Sequence, residues 1–191
     1  MNNVRGRENF YKFKKWIILL SRFYSIFPLY FRKKLFEFHR MTKGLKGIVL
    51  RYALLKSIAL QCGDNVSIYP SVYLLSPEKI IIGDNVSIHP MCYLDATGGI
   101  VIGNDVSIAH GASIMSTTHR YENINIPIKD QGIVLSKTII KNNVWIGAKT
   151  TILSGILIES GSIIAANAVV TKGVLRNTIV AGIPAKKIKG R

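Results

Sequence analysis

Val134-Leu-Ser-Lys-Thr-Ile-Ile140-Lys-Asn-Asn-Val-Trp-Ile146-Gly-Ala-Lys-Thr-Thr-Ile152-Leu-Ser-Gly-Ile-Leu-Ile158-Glu-Ser-Gly-Ser-Ile-Ile164-Ala-Ala-Asn-Ala-Val-Val170 carries a branched aliphatic residue at every sixth position. The same spacing runs earlier in the chain: Ile82, Ile88 and Leu94 repeat at six, a two-residue insertion follows, and Ile102, Ile108 and Ile114 resume it. Ile68 and Leu74 fit one turn before. Four residues after each aliphatic comes a small or apolar one, among them Val72, Val86, Cys92, Val106, Ala112, Val144, Thr150, Ile156, Ser162, Ala168 and Val174. A six-residue unit is one short strand and one turn, and three units close a triangular coil whose aliphatics stack on those of the next. Gly83-Asp84-Asn85, Gly103-Asn104-Asp105, Lys141-Asn142-Asn143 and Ala166-Asn167 supply residues that tolerate turn and left-handed backbone angles. The predicted fold is therefore an all-β core, a parallel β-helix of hexapeptide repeats over 61–180, with Cys92 as a small core residue rather than a reactive thiol.

The 191 residues include 26 Lys or Arg and 10 Asp or Glu, a net charge of +16, and 48% are hydrophobic. That composition excludes a disordered chain. Two cysteines, Cys62 and Cys92, make neither a disulfide framework nor a zinc site, so free thiols in a reducing compartment, the cytoplasm, are expected. Charge is uneven: residues 1–60 hold 14 Lys/Arg against Glu8 and Glu37, net +12, and residues 61–191 hold 12 against 8, net +4. This divides the chain into a basic, aromatic, mostly helical arm over 1–60, the β-helix over 61–180 with a loop at about 119–133, and a basic tail over 181–191.

In the arm, Trp16 to Phe31 is apolar, but Arg22 and Pro28 interrupt it and it is shorter than the roughly 20 residues a membrane span needs. No small-residue cleavage site follows, which argues against secretion. Phe10, Phe13, Trp16, Ile17, Leu20, Phe23, Tyr24 and Phe27, with Lys12, Lys14, Lys15, Arg32, Lys33 and Lys34 around them, suit a helix on the inner face of an anionic membrane. They equally suit an arm packed on its own or a neighbouring subunit's core. No recognised motif accompanies the charge, so no nucleic-acid partner is expected.

These repeats and motifs resemble the left-handed parallel β-helix acyltransferases, in the branch of bacterial sugar and polysaccharide O-acetyltransferases related to galactoside and maltose acetyltransferases. The resemblance covers about residues 45–191. Gly47-Ile-Val-Leu-Arg51-Tyr-Ala-Leu-Leu-Lys56 before Cys62-Gly-Asp-Asn-Val looks like the lead-in of polysaccharide-modifying members. The left-handed winding is implied by the resemblance alone, as are acetyl-CoA as cosubstrate, a homotrimer with active sites between subunits, and a saccharide acceptor.

After Ile114 the chain reads Met115-Ser-Thr-Thr-His119-Arg-Tyr-Glu122 and leaves register until Val134. Long excursions from a rigid repeat usually serve function. By the resemblance, His119 stands where the family carries its general base, and imidazole titrates close enough to neutrality to take a proton from a sugar hydroxyl. His89 and His110 follow inward aliphatics at turns where any polar residue would serve. The β-helical carbonic anhydrases have two zinc ligands five residues apart, whereas His110 and His119 are nine apart; no metal is expected.

Trp145, in Asn142-Asn143-Val144-Trp145-Ile146-Gly147-Ala148, lies between two inward positions, so it points outward; the resemblance makes it a wall of the acyl-donor channel, with a trimer contact as the alternative. The amide of Ala148 would contact coenzyme A near the thioester. Ala165-Ala166-Asn167-Ala168-Val169-Val170-Thr171-Lys172 and Ile179-Val180-Ala181-Gly182-Ile183-Pro184-Ala185-Lys186-Lys187 resemble the family's coenzyme A tail site. Ala166, Thr171 and Lys172 would line the pantetheine and pyrophosphate path, with Lys186 and Lys189 near the nucleotide phosphates. Counted in unbroken register, the galactoside enzymes' acceptor-binding Asn and Asp fall at His89 and Thr97, so the sugar pocket differs; Asp95, as an acceptor carboxylate or a turn former, and His89 are the candidate substrate-binding residues. The expected activity is O-acetylation of a sugar hydroxyl on a surface polysaccharide or its precursor. Rivals are N-acetylation of an amino sugar nucleotide, antibiotic acetylation, and a non-catalytic scaffold for acidic polymers.

Overall fold

The computed structural model describes residues 7–191. Three helices lead: α1 (Arg7–Ser25), α2 (Leu29–Phe38) and α3 (Gly44–Ile58). From Gln61 the chain winds into triangular coils whose short strands stack as three parallel faces. The first face stacks Gln61–Cys62, Ile80–Ile82, Ile100–Ile102, Thr138–Ile140 and Leu157–Ile158. The second stacks Ser67–Ile68, Ser87–Ile88, Ser107–Ile108, Trp145–Ile146, Ile163–Ile164 and Thr178–Ala181; the third stacks Tyr73–Leu75, Tyr93–Asp95, Ser113–Ile114, Thr151–Ile152 and Val169–Val170.

Registry explains the insertion seen in the sequence. Ile146 lies over Ile164, three hexapeptides on, whereas Ile68 lies over Ile88 and Ile88 over Ile108. The longer early coils take their extra residues at the corner between the third and first faces, at Ser76-Pro77-Glu78-Lys79 and Ala96-Thr97-Gly98-Gly99. Ile82, Ile88, Leu94, Ile102, Ile108, Ile114, Ile140, Ile146, Ile152, Ile158, Ile164 and Val170 are buried in continuous columns, with Cys92 and Ala112 filling corners.

Val134 departs from this plan. It is half-buried and pairs with Thr118 in an antiparallel hairpin, Thr117–His119 against Ile133–Leu135. The stack resumes at Thr138, not Val134, because the chain is still returning from its excursion; Ser136 N–H donates to Ser116 O at 2.9 Å and closes the hairpin's base. The C-terminal segment likewise is no loose tail, since Lys186–Gly190 runs antiparallel to Thr178–Ala181 and ends the second face.

Corners hold the left-handed residues: Asn85, Asp105, Asn143 and Asn167 have φ of 57°, 57°, 56° and 59°. Asn142 also accepts the Asn104 N–H at 2.8 Å, and Asn104 the Asp84 N–H at 2.8 Å, so side chains bridge successive coils. Asn143→Ala is expected to lose about 1 kcal/mol, because alanine keeps the Cβ strain of a positive φ without the short amide whose local hydrogen bonding lets asparagine adopt it, while Asn143→Gly, with no Cβ, stays near wild type. Urea midpoints of the two variants check this.

Candidate active site

The hairpin carrying His119 is rooted by the coil beneath it. Ser116 is fully buried; its hydroxyl donates to Asp95 O and accepts Gly98 N–H at 2.8 Å. Asp95, itself buried, accepts Thr97 N–H at 3.0 Å and the Thr117 hydroxyl at 2.6 Å. Burial works against its charge, but the hydrogen bonds from Thr117 and Thr97 outweigh it and hold the carboxyl below the usual range. Gly98 permits the approach, since a Cβ there would lie 2.2 Å from Ser116 O. Two residues beyond Thr117, His119 is exposed and paired with Ile133. The chain between them is tied by Gln131, whose Nε2 donates to Asn123 O and Ile126 O, both at 2.8 Å. Residues Ser116 and Thr117 were not singled out from sequence; the signal was the Ser-Thr-Thr run directly before His119.

A second cluster lies at the corner between the second and third faces. Asn167 N–H donates to Ala148 O at 2.8 Å, which sets Ala148 and Ala166 one coil apart at that corner. A Cβ on Gly147 would come 2.5 Å from Ala166 N, so the coils here meet backbone to backbone. Above them the Gly182–Ala185 turn folds over Val169: Val169 N–H donates to Gly182 O at 3.1 Å and Ala185 N–H to Val169 O at 2.8 Å. Thr171 and Lys172 follow on the third face, exposed, and Lys186 and Lys189 stand exposed on the terminal strand opposite Ala181 and Ile179. Trp145 is 54% exposed on the second face, between Ser107 and Ile163.

The structure thus sets Ala148 and Ala166 at the corner between the second and third faces, below the Gly182–Ala185 turn and the Lys186 strand, whereas Thr171 and Lys172 leave the third face at its corner with the first, in the stack that carries Asp95 and from which the His119 hairpin departs. His89 lies in the Ala148 corner stack but two coils below it, in line with Ala109 and Gly147. Its ring stacks on Tyr69 with centroids 4.7 Å apart, and burial, with His110 nearby, pushes it below the usual imidazole range. Burial pushes the Cys62 thiol up to about 12 and raises that of Cys92, so neither is a nucleophile at neutral pH.

Stacked hexapeptide coils define a class of transferases, and residues 137–172 match the family model for the bacterial transferase hexapeptide (six repeats). Galactoside O-acetyltransferase of Escherichia coli (strain K12) is 31% identical over 140 residues, 73% of this chain and 68% of that protein. The chain belongs to the hexapeptide-repeat acetyltransferase family. A protein of the same strain called "putative lipopolysaccharide biosynthesis O-acetyl transferase WbbJ" is 40% identical over 65 residues, 34% of this chain and 33% of WbbJ. The chain spans 23% to 33% of the length of the first curated relatives it matches. A solved galactoside acetyltransferase in complex with coenzyme A superimposes with a TM-score of 0.75 at 27% identity, covering 83% of this chain and 78% of that one.

Proposed function

We propose that this acetyltransferase moves an acetyl group from acetyl-CoA to a sugar hydroxyl of a surface polysaccharide or its lipid-linked precursor. The observation that carries the reading is the His119 hairpin, an exposed imidazole on a strand locked at its root by Asp95 and Ser116. His119 accepts the hydroxyl proton as the oxygen attacks the thioester carbonyl. A backbone amide such as that of Ala148 stabilises the oxyanion. The C–S bond then breaks, and the departing thiolate of coenzyme A takes the proton from the imidazolium. The coenzyme A complex of the galactoside acetyltransferase relative supports acetyl-CoA as donor, and the name of the WbbJ relative supports a polysaccharide acceptor.

His119 and the donor corner complete one another across a homotrimer interface in this reading, with Trp145 of one subunit walling the channel that another subunit's His119 serves. Ile124, which is 94% exposed, and its neighbours Ile126, Ile128 and Ile133 give the hairpin loop an apolar surface suited to that contact. We place the reaction in the cytoplasm, where the free thiols of Cys62 and Cys92 stay reduced.

The test is release of coenzyme A from acetyl-CoA by purified protein over a panel of saccharides and amino sugars, with mass analysis of products. Gain of one acetyl group that mild alkali removes supports an ester. An alkali-stable product on an amino sugar replaces this reading with N-acetylation, and no acetyl transfer to any acceptor removes it. Lys172→Ala and Lys186→Ala are each expected to weaken acetyl-CoA binding about three- to tenfold and to flatten its salt dependence, because charge-assisted phosphate contacts are lost. Calorimetric titration at two salt concentrations checks this; unchanged affinity in both variants would show that these lysines do not meet the donor.

A further inference from the structure

Helix α1 is apolar on two sides. Its inner stripe packs on its own chain: Ile17 and Ser21 are buried, and the Phe10 ring meets the edge of Tyr52 at 5.5 Å. The outer stripe is Trp16, Leu19 and Phe23, at helical spacings of three and four, continued by Ile26 in the turn just past the helix, and every member is exposed, Trp16 at 72% and Ile26 at 78%. Phe23, Phe27 and Phe31 form a continuous aromatic row, with centroids 5.4 and 5.3 Å apart, that carries this face onto α2, where Tyr30 is 74% exposed. Beside Trp16 an apolar groove of about 600 Å³ opens between α1 and α3, walled by Phe13, Trp16, Leu20, Leu45 and Val49.

Charge selects the occupant. Lys12, Lys15 and Arg22 are exposed on α1, and the only acidic residues of the three helices are Glu8 and Glu37. Two copies meeting through this face would bring like charges together, whereas an anionic lipid surface receives both the rings and the cations. No helix among the described residues is long and apolar enough to cross a membrane, so the face suits lying on one. We propose that the outer face of α1 and α2 docks on an anionic bilayer surface, with Trp16, Leu19, Phe23 and Ile26 at the headgroup boundary and Lys12, Lys15 and Arg22 on the phosphates.

The full chain is sedimented with vesicles of phosphatidylcholine alone and with vesicles also containing phosphatidylglycerol, without donor or acceptor, so the outcome is independent of the acetyl-transfer reading. Binding to the anionic vesicles alone, reduced by salt, is expected. Trp16→Ser with Phe23→Ser lowers the partition coefficient at least about tenfold, with helical circular dichroism and assembly mass unchanged. Lys12→Gln with Lys15→Gln, which alters only exposed tips, also lowers it. Absence of binding to anionic vesicles at low salt overturns the proposal, as does undiminished binding in both double variants. A change of assembly mass in Trp16→Ser with Phe23→Ser assigns the face to a contact between copies instead.

Discussion

His119→Ala retains the fold, the assembly and acetyl-CoA affinity but loses at least about a hundredfold in kcat, close to 2.7 kcal/mol of transition-state stabilisation. The separation follows from placement. His119 is exposed on a hairpin outside the stacked columns, so its removal leaves no cavity, and the hydrogen bonds that root the hairpin come from Ser116, Asp95 and Gly98. The corner at Ala148 and Ala166, proposed above for the donor, is built by another pair of faces. A loss confined to kcat is what removal of a proton acceptor produces, whereas a loss in donor affinity would show that His119 binds rather than reacts. Near-wild-type turnover would remove it from the mechanism.

The columns from Ile140 to Val170 were legible because a stacked coil imposes its period on every residue that faces inward. The same logic misplaced Val134. An antiparallel strand alternates at two, and six is a multiple of two, so a residue of the returning hairpin keeps the count while leaving the stack. The link between Asp95 and Thr117 was not legible at all, since coil stacking joins residues 22 apart that share no local pattern. In α1 the sequence showed aromatics at helical spacing but not which side met the core, because both sides are apolar and only the position of α3 and Tyr52 decides between Ile17 and Trp16. The buried role of Arg51, in the sequence only part of the lead-in, was not legible for a related reason: its partners are backbone carbonyls, which no side-chain pattern announces.

Arg51→Met is expected to destabilise the protein by about 2–4 kcal/mol and to loosen its helical end first. The Arg51 side chain is wholly buried, with Nε donating to Ile68 O at 2.9 Å and Nη1 to His39 O at 2.9 Å and Thr42 O at 2.7 Å. One guanidinium thus ties α3, the turn after α2 and the first coil together, where Leu54, Leu55 and Ile58 cover the open end of the aliphatic columns. Burial lowers the pKa of Arg51, a sign that the charge is held at a cost, so replacing it by Met recovers part of the desolvation energy. It also strands Ile68 O and Thr42 O, each worth about 1–3 kcal/mol when left without a donor, while His39 O keeps the Thr42 N–H at 3.1 Å, and that loss is the larger. In a solenoid the end coil has one neighbour and depends on its cap, so protection from hydrogen exchange should fall across 44–75 while 138–170 stays protected. Arg51→Lys separates charge from shape: a single ammonium cannot reach three diverging carbonyls, and it should lose nearly as much as Met. Urea unfolding followed by helical circular dichroism, with hydrogen exchange on the same variants, reads both effects; a wild-type midpoint for Arg51→Met would mean the end of the β-helix is held by apolar packing of α3 alone.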